Sequence, residues 1–387
     1  MSDRRVVSDA ELNRATLARQ LLLHRIELDP VTAISRLFAL QAQEPASPYL
    51  ALWTRVTGFD PVTLDDAFAT GQVVKATLMR MTLHAVAAED YPIFWSALAD
   101  YALRARSLDR RFAPTGNSDG DVRQLTERML PLMDRPRSNA AMAALLDELA
   151  GPAPDPGWWW AVRAYAPLLH APTADPWSFG RRPSYVAATP QPIRLGQSAE
   201  DALDHVVRRY LAAFGPAALV DIAEFTKLAR SAARAVVERL HPELTQFRGS
   251  NGQELIDVPG AVIPPDDTPA PARLLPMWDS VLLAYADRSR IIPPDVRMHV
   301  IRRNGDVLPT ILVDGYVAGV WFPRRDNGRT GIRIKAFCPL PPQAWDELEA
   351  EAANLVAFLD QREPEVYRRY TRWWDVVPAP ESRTLPD

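Results

Sequence analysis

The chain reads as a mainly α protein with β structure (α+β). Three successive units, each of three helical runs closed by a β-prone hairpin, are followed by a C-terminal β-rich module. Three observations predict this. Apolar residues recur at helical spacing in sets of three, turn-forming residues split the β-prone stretches that follow, and the last third changes to long alternating runs. Three helices then a hairpin is the order of a winged helix. The expected divisions are residues 1–118, 119–195 and 196–264 for the three tandem units and 273–387 for the β-rich, α+β module.

In the first unit, "SDAELNRATLARQLLL" opens with Ser8 or Asp9 as N-cap and Glu11 close behind. "DPVTAISRLFALQAQ" predicts a second helix with Pro30 in its first turn, running to the glutamines at 41 and 43. After "ASPYLALWTRV" and "TLDDAFATG", the β-branched run "VVKATLMRMTLHAVAA" predicts a hairpin. The second unit offers "DGDVRQLTERMLPLM", "SNAAMAALLDELAG" and "GWWWAVRAYAPLL" as helices, with "LLHAP" and "PSYVAA" as strands. The third is the clearest: "AEDALDHVVRRYLAAFG", "PAALVDIAEFTKLA" and "RSAARAVVERL" precede "LTQFRGSNGQELIDV", two strands about a Gly-Ser-Asn-Gly turn. Pro190 to Gly196 and the proline-rich 264–272 predict linkers. Beyond them "LPTILVDGYVAGVWF" is a hairpin with Asp-Gly at its turn, "TGIRIKAFC" a strand and "QAWDELEAEAANLVAFLD" an amphipathic helix, making an α+β or barrel-like module.

Composition narrows the class. With 387 residues, 47% hydrophobic and 24% charged, the chain can bury a substantial core and reads as globular. It lacks an apolar run long enough for a membrane span and an apolar signal core at its start, so a cytoplasmic protein is expected. The lone Cys338 excludes an internal disulfide and is expected to pack beside Phe337. Of 44 basic residues only Lys75, Lys227 and Lys335 are lysine. Coding bias accounts for that, and arginine also suits bidentate phosphate contacts. The net charge of −4 argues against nucleic acid as a partner, but between Asp287 and Lys335 arginines outnumber acidic residues, which allows a basic face on an acidic protein.

The usual enzyme signatures are missing: no phosphate-binding glycine loop, dinucleotide motif, nucleophile elbow or zinc-protease pair. The six histidines have no ligand spacing, so neither metal nor cofactor is expected. "LQAQEPASPYLALWTRV" is the exception. Residues two apart on a helix do not face each other, so Gln41 and Gln43 could converge only where a helix loosens, and Glu44 before Pro45 supplies such a place. The bland reading is that one glutamine caps carbonyls and the other is solvated.

The blocks "LNRATLARQLLL", "LQAQEPASPYLALWTRV", "KATLMRMTLHAVAAEDY", "WSFGRRPSY", "YLAAFGPAALVDIAEFT" and "RLLPMWDSVLLAYADRSRII" resemble, in order and over nearly the whole chain, the bacterial winged-helix DNA glycosylases of the AlkZ/YcaQ type. The resemblance implies a C-shaped groove for duplex DNA containing alkylated bases, and a catalytic glutamine-x-glutamine pair that matches Gln41 and Gln43. An amide does not titrate near neutrality. It can place a water but not protonate a leaving base, which suits a cationic N7-alkylated purine that departs neutral. A monofunctional enzyme is expected, since Lys75 is the nearest lysine in sequence. The lesion could be a simple alkylpurine or a bulky natural-product guanine adduct or crosslink, with DNA repair or antibiotic self-resistance as the role. Arg80 and His84 on the hairpin, Arg181 and Arg182 in "FGRRPSY", and Asp279 and Arg288 in "MWDSVLLAYADRSR" are candidate DNA-proximal residues. Each has a plain structural alternative: an exposed wing for His84, a solvated turn for the arginine pair, a hairpin-fixing carboxylate for Asp279. "GWWWAVRAY" reads better as core than as a stacking platform. A monomer is expected. The rival reading is a non-catalytic winged-helix DNA-binding protein or transcriptional regulator, and a glycosidase of another class lacks the carboxylate pair.

Overall fold

The computed structural model describes residues 4–109, 118–151, 157–189, 193 and 198–386. The chain begins with β1 (Val6–Val7) and α1 (Asp9–Arg19), where Ser8 and Glu11 form a reciprocal capping box. It continues through α2 (Pro30–Arg36), β2 (Leu40–Gln41), α3 (Ser47–Trp53), α4 (Pro61–Ala69), β3 (Val73–Thr77), β4 (Leu83–Ala87) and α5 (Tyr91–Ser107). The middle holds α6 (Asp119–Met129), β5 (Arg137–Ser138), α7 (Asn139–Ala150), α8 (Gly157–Tyr165), β6 (Leu168–His170) and β7 (Ser184–Ala187). Next come α9 (Ala199–Phe214), α10 (Leu219–Thr226), α11 (Arg230–Leu240), β8 (Thr245–Gly249) and β9 (Glu254–Asp257). The C-terminal part comprises β10 (Arg273–Leu275), α12 (Arg297–Val300), β11 (Thr310–Val313), β12 (Tyr316–Asp326), β13 (Arg329–Ala336), α13 (Pro342–Asp360), α14 (Thr371–Asp375) and β14 (Glu381–Leu385).

The architecture is α+β, as the apolar periodicities predict, but the strands combine across the expected units. One six-stranded sheet runs β2-β4-β3-β6-β7-β5, joined at its middle by the pairing of Ala76 with Leu169. The hairpins of the first two helical units therefore share one sheet. In the third, β8 and β9 pair about the expected turn, and β1 from the N-terminus adds a parallel edge. The C-terminal strands form an antiparallel sheet, β10-β11-β12-β13-β14, whose outer strands do not meet, so it is an open sheet and not a barrel. Its core is continuous with that of the first unit: Leu22, Ile34 and Leu50 pack in one cluster with Leu274, Trp321 and Leu355.

Two local expectations change. The second helix does not reach the glutamines. It ends at Arg36, and Phe38, with φ +75°, turns the chain into extended backbone while its ring stacks on Phe94 at 4.8 Å. Cys338 is exposed instead of packed, at the end of the sheet where the chain leaves β13. Most of the linker expected between Pro190 and Gly196 lies outside the described residues, whereas 264–272 is irregular as expected. Of the three adjacent tryptophans, Trp158 is buried in the helical core and Trp159 donates to Asn139, which favours the structural reading.

A buried ion pair crosses this core. Arg55, at the end of the turn after α3, binds both oxygens of Asp279 at 2.7 and 2.8 Å, and each side chain is only 1% exposed. The guanidinium also donates to the carbonyls of Gln20 and Ala51. Removing one partner leaves the other charge stranded in the interior. Asp279→Ala is expected to lower the unfolding free energy by about 3–5 kcal/mol, measured by urea denaturation against wild type.

Candidate active site

The first side of the site is built at the edge of the six-stranded sheet. Gln41 pairs with His84 across β2 and β4, and the ladder extends one residue further, with Ala42 N–H donating to Leu83 O at 2.8 Å. Extended backbone, not a loosened helix, is thus the local frame of Gln41, with a side-chain period of two residues, and the chain bends at Gln43. Leu40 and Ala42 enter the core shared with the C-terminal sheet, while Gln41 points to the opposite face, toward the corner of the β3–β4 hairpin.

That corner is tight. Arg80 and Met81 both take left-handed dihedrals, φ +55° and +54°, uncommon for residues with a Cβ. Hydrogen bonds from Met81 N to Leu78 O and from Leu78 N to Thr82 O hold the turn. The Arg80 guanidinium lies 4.6 Å over the Phe225 ring of α10, and its Nη2 donates to Gln41 Oε1 at 2.8 Å. The same nitrogen is 3.5 Å from His84 Nε2, while His84 Nδ1 meets Thr82 O at 3.0 Å. The carbonyl can only accept, so Nδ1 carries the proton and the Nε2 lone pair faces Arg80. His84 is fully buried, contrary to an exposed wing. Burial, with Arg80 alongside, pushes its imidazole down to about 3. Burial and the nearby Arg288 guanidinium lower Arg80 to about 10, which leaves it a cation at neutral pH.

Gln41 therefore has one oxygen lone pair engaged by Arg80, and its amide N–H groups are left to donate elsewhere. Arg80 Nη1 and Arg288 Nε are buried without a hydrogen-bond partner among the described residues. The two guanidiniums are near enough for Arg288 to lower Arg80, and each keeps one unmatched donor. Arg288 starts a short 3-10 turn capped by Asp287, so its position is set by the C-terminal part of the chain.

Gln43 lies on the other side. It is exposed at the bend into α3 and opens onto a cleft of about 290 Å³ that Gln41 does not line. The structure groups Gln41 with Arg80, His84 and Arg288, and Gln43 with Arg181 and Arg182. The two arginines are exposed on the turn before β7 and make no ion pair among the described residues. That turn is tight: a Cβ on Gly180 would run into the Asp175 carboxylate. Trp177 and Phe179 supply aromatic wall. Asp279, expected as a DNA contact, is instead enclosed with Arg55 and cannot reach a ligand.

Two arginines escaped the sequence, and one lysine it set aside also belongs to the cleft. Arg368 and Arg369 reach the cleft from the segment after α13, more than 300 residues from Gln43 in sequence, and no local pattern marks them. Lys75, at position three of β3, also lines it, with its ammonium 4.5 Å over the Phe179 ring. Among the described residues no cluster of His, Cys, Asp or Glu could hold a metal.

Around Gln41 the arrangement is of an amide, a neutral imidazole and a guanidinium, and around Gln43 of exposed arginines with three carboxylates, Glu44, Asp175 and Glu363, in an α+β frame. A family model for AlkZ-like DNA glycosylases matches residues 34–358, and the chain belongs to that family. It is accordingly a DNA glycosylase, with DNA as its substrate. Among solved structures it is similar to the Streptomyces sahachiroi DNA glycosylase AlkZ, at 19% identity and a TM-score of 0.75, over 93% of this chain and 98% of that one. That likeness shows the fold. No curated protein matches it.

His170, on β6, is lowered to about 3 by burial, then by Lys75 and Arg163. A histidine depressed below its unfolded value of 6.5 refuses protons that the unfolded chain binds, so His84 and His170 subtract stability as pH falls from 6.5 toward 3. Nothing is subtracted above that window. Each is expected to contribute a slope of about 1.4 kcal/mol per pH unit. Urea melts at stepped pH should show the slope, and His84→Gln should reduce it by one histidine's share.

Proposed function

We propose that this glycosylase hydrolyses the N-glycosidic bond of cationic N7-alkylated purines in duplex DNA, with Gln41 and Gln43 as the catalytic pair that positions water and the sugar. The observation that carries this is chemical. Gln41, Arg80 and His84 form a connected group in which no carboxylate takes part in a hydrogen bond, and the histidine is held neutral. Such a group has no ready acid to protonate a departing base. A purine alkylated at N7 already carries positive charge and leaves neutral, so orientation of water at C1′ and hydrogen bonding to the developing sugar cation suffice.

Arg80 and Arg288 then hold a backbone phosphate near the lesion, with Arg181 and Arg182 contacting the strand across the cleft. We read the three helix–hairpin units as tandem winged helices that frame this groove. The open cleft, with Trp177 and Phe179 beside Gln43, fits a bulky planar guanine adduct or crosslink better than a sealed base-flipping pocket would. DNA repair in the cytoplasm, including self-resistance to an alkylating natural product, is the matching role, and a monomer is sufficient for it. Among the described residues no helix is long and apolar enough to cross a membrane.

Single-turnover release of N7-methylguanine from duplex DNA tests the pair. Gln41→Ala and Gln43→Ala are each expected to slow release by roughly 10²-fold or more, with binding to the duplex retained. Full-rate release by the double variant would remove both glutamines from the mechanism. Phosphate contact by Arg288 predicts that Arg288→Ala makes the plot of log affinity against log salt shallower by about 0.9, read by fluorescence anisotropy over a salt series.

A further inference from the structure

The cleft holds one reactive group that base excision does not use. The chain has only three lysines among 44 basic residues, and two have polar partners: Lys227 binds Glu224, and Lys335 donates to the carbonyls of Trp374 and Val377. Lys75 has none among the described residues. It is 4% exposed, with Phe179 at 4.5 Å as its nearest specific contact, and it lines the same cleft as Gln43. The carboxylates of that cleft are engaged elsewhere. Glu44 is bound by Arg369 and the Tyr370 hydroxyl, Asp175 by Thr173, and Glu363 by the Trp177 indole. A buried lysine with no carboxylate counterion is the environment in which an amine becomes a nucleophile.

We propose that Lys75 forms a Schiff base with the abasic sugar left by base excision and cleaves the strand on its 3′ side by β-elimination. This rests on the glycosylase reading, because excision supplies the aldehyde. The neutral Nζ adds to C1′ of the ring-opened sugar, and the carbinolamine loses water to give an iminium ion. A C2′ proton passes to solvent water, the electron pair forms the C1′–C2′ enamine, and its collapse breaks the C3′–O bond with the 3′ phosphate as leaving group. Water then hydrolyses the conjugated iminium and returns the free amine, with no net oxidation or reduction. Burial lowers Lys75 to about 7, so much of it is unprotonated at neutral pH. An arginine at this position could not form the imine. Separation in sequence hides the placement: the register sets Lys75 beside Ala85 and Ala85 beside Leu40, so the lysine shares its cleft with Gln43 and lies on the sheet face opposite to Gln41.

The test uses the full chain and a duplex with one abasic site made beforehand by removing uracil. With sodium cyanoborohydride, wild type is expected to give a protein–DNA adduct stable to denaturing electrophoresis, which peptide mass spectrometry maps to Lys75. Without reductant the strand should be cut 3′ to the site. Lys75→Arg and Lys75→Met should each reduce trapping and cutting by at least roughly 10²-fold, while thermal melting shows that at least one of them folds. No adduct from wild type that binds the abasic duplex overturns the proposal. So does an adduct mapped to Lys227, Lys335 or the N-terminal amine, or one undiminished in Lys75→Arg. The abasic site is preformed, so a failure to release N7-methylguanine would count against the substrate reading alone.

Discussion

The geometry of the glutamine-bearing strand depends on an ion pair that never meets solvent. Arg55 and Asp279 are 224 residues apart in sequence and joined by two hydrogen bonds inside the core. Asp279 also caps the 3-10 turn that follows it, through Val281 N, and the next residue, Ser280, donates to the carbonyl of Ala39. Ala39 immediately precedes β2. The pair therefore fixes, through one turn and one hydroxyl, the height at which Leu40, Gln41 and Ala42 run along β4. Desolvating two charges is costly, and a well-packed apolar pair could match its stability. What an apolar pair would lack is direction: four N–H bonds from one planar guanidinium leave Arg55 a single orientation, and Asp279 follows it.

The same logic places the far walls of the cleft. Asp65 of α4 accepts from the Tyr49 hydroxyl, from Ser178 and from Arg362, so α3, the Trp177–Phe179 segment and the end of α13 meet at one carboxylate. Arg362 holds this carboxyl below its ordinary value against the burial that would raise it. Farther out, Arg25 grips Glu351 of α13 with two bonds and Arg19 grips Asp257 of β9 likewise. The N-terminal segment thus touches every later part of the chain through charged, directional contacts. A groove lined by residues near 43, 181 and 368 is the geometric result of these contacts, not of any one unit's fold.

Much of the local structure was legible. Ser8 with Glu11 announced α1, the β-branched run announced β3 and β4, and the Gly-Ser-Asn-Gly turn announced β8 and β9, because each signal is local chemistry of a cap or a turn. The apolar run through residue 43 misled because a buried helix and a buried strand are equally apolar. The break comes from Phe38, whose left-handed backbone is stabilised by stacking on Phe94, a partner 56 positions away that no local window contains. The fused sheet was hidden for the same reason, since one bridge between Ala76 and Leu169 joins two hairpins that each look complete alone. At the site, Arg80 and His84 were legible as hairpin residues, but their contact was not, because Arg80 sits in a left-handed corner and not on the strand that carries His84. His84 is neutral because it is buried beside the Arg80 guanidinium, and Asp279 is unavailable because Arg55 binds both its oxygens.

The absence of a carboxylate from the Gln41 group is itself constrained by the neighbouring charge. A carboxylate at position 41 would meet Arg80 Nη2 where Oε1 does now and form a charge-assisted pair, stronger than the amide contact by roughly a factor of two. Arg80 would then be neutralised and its donors turned inward. The amide accepts the same hydrogen bond without cancelling the guanidinium, so Arg80 stays a net cation next to Arg288, with unmatched N–H groups on both. On the proposed reading, a site arranged this way keeps its positive potential for the phosphates on either side of a sugar and gives up general-acid power at the base. These two properties suit a substrate that brings its own positive charge on the leaving group, and they suit an intact purine poorly.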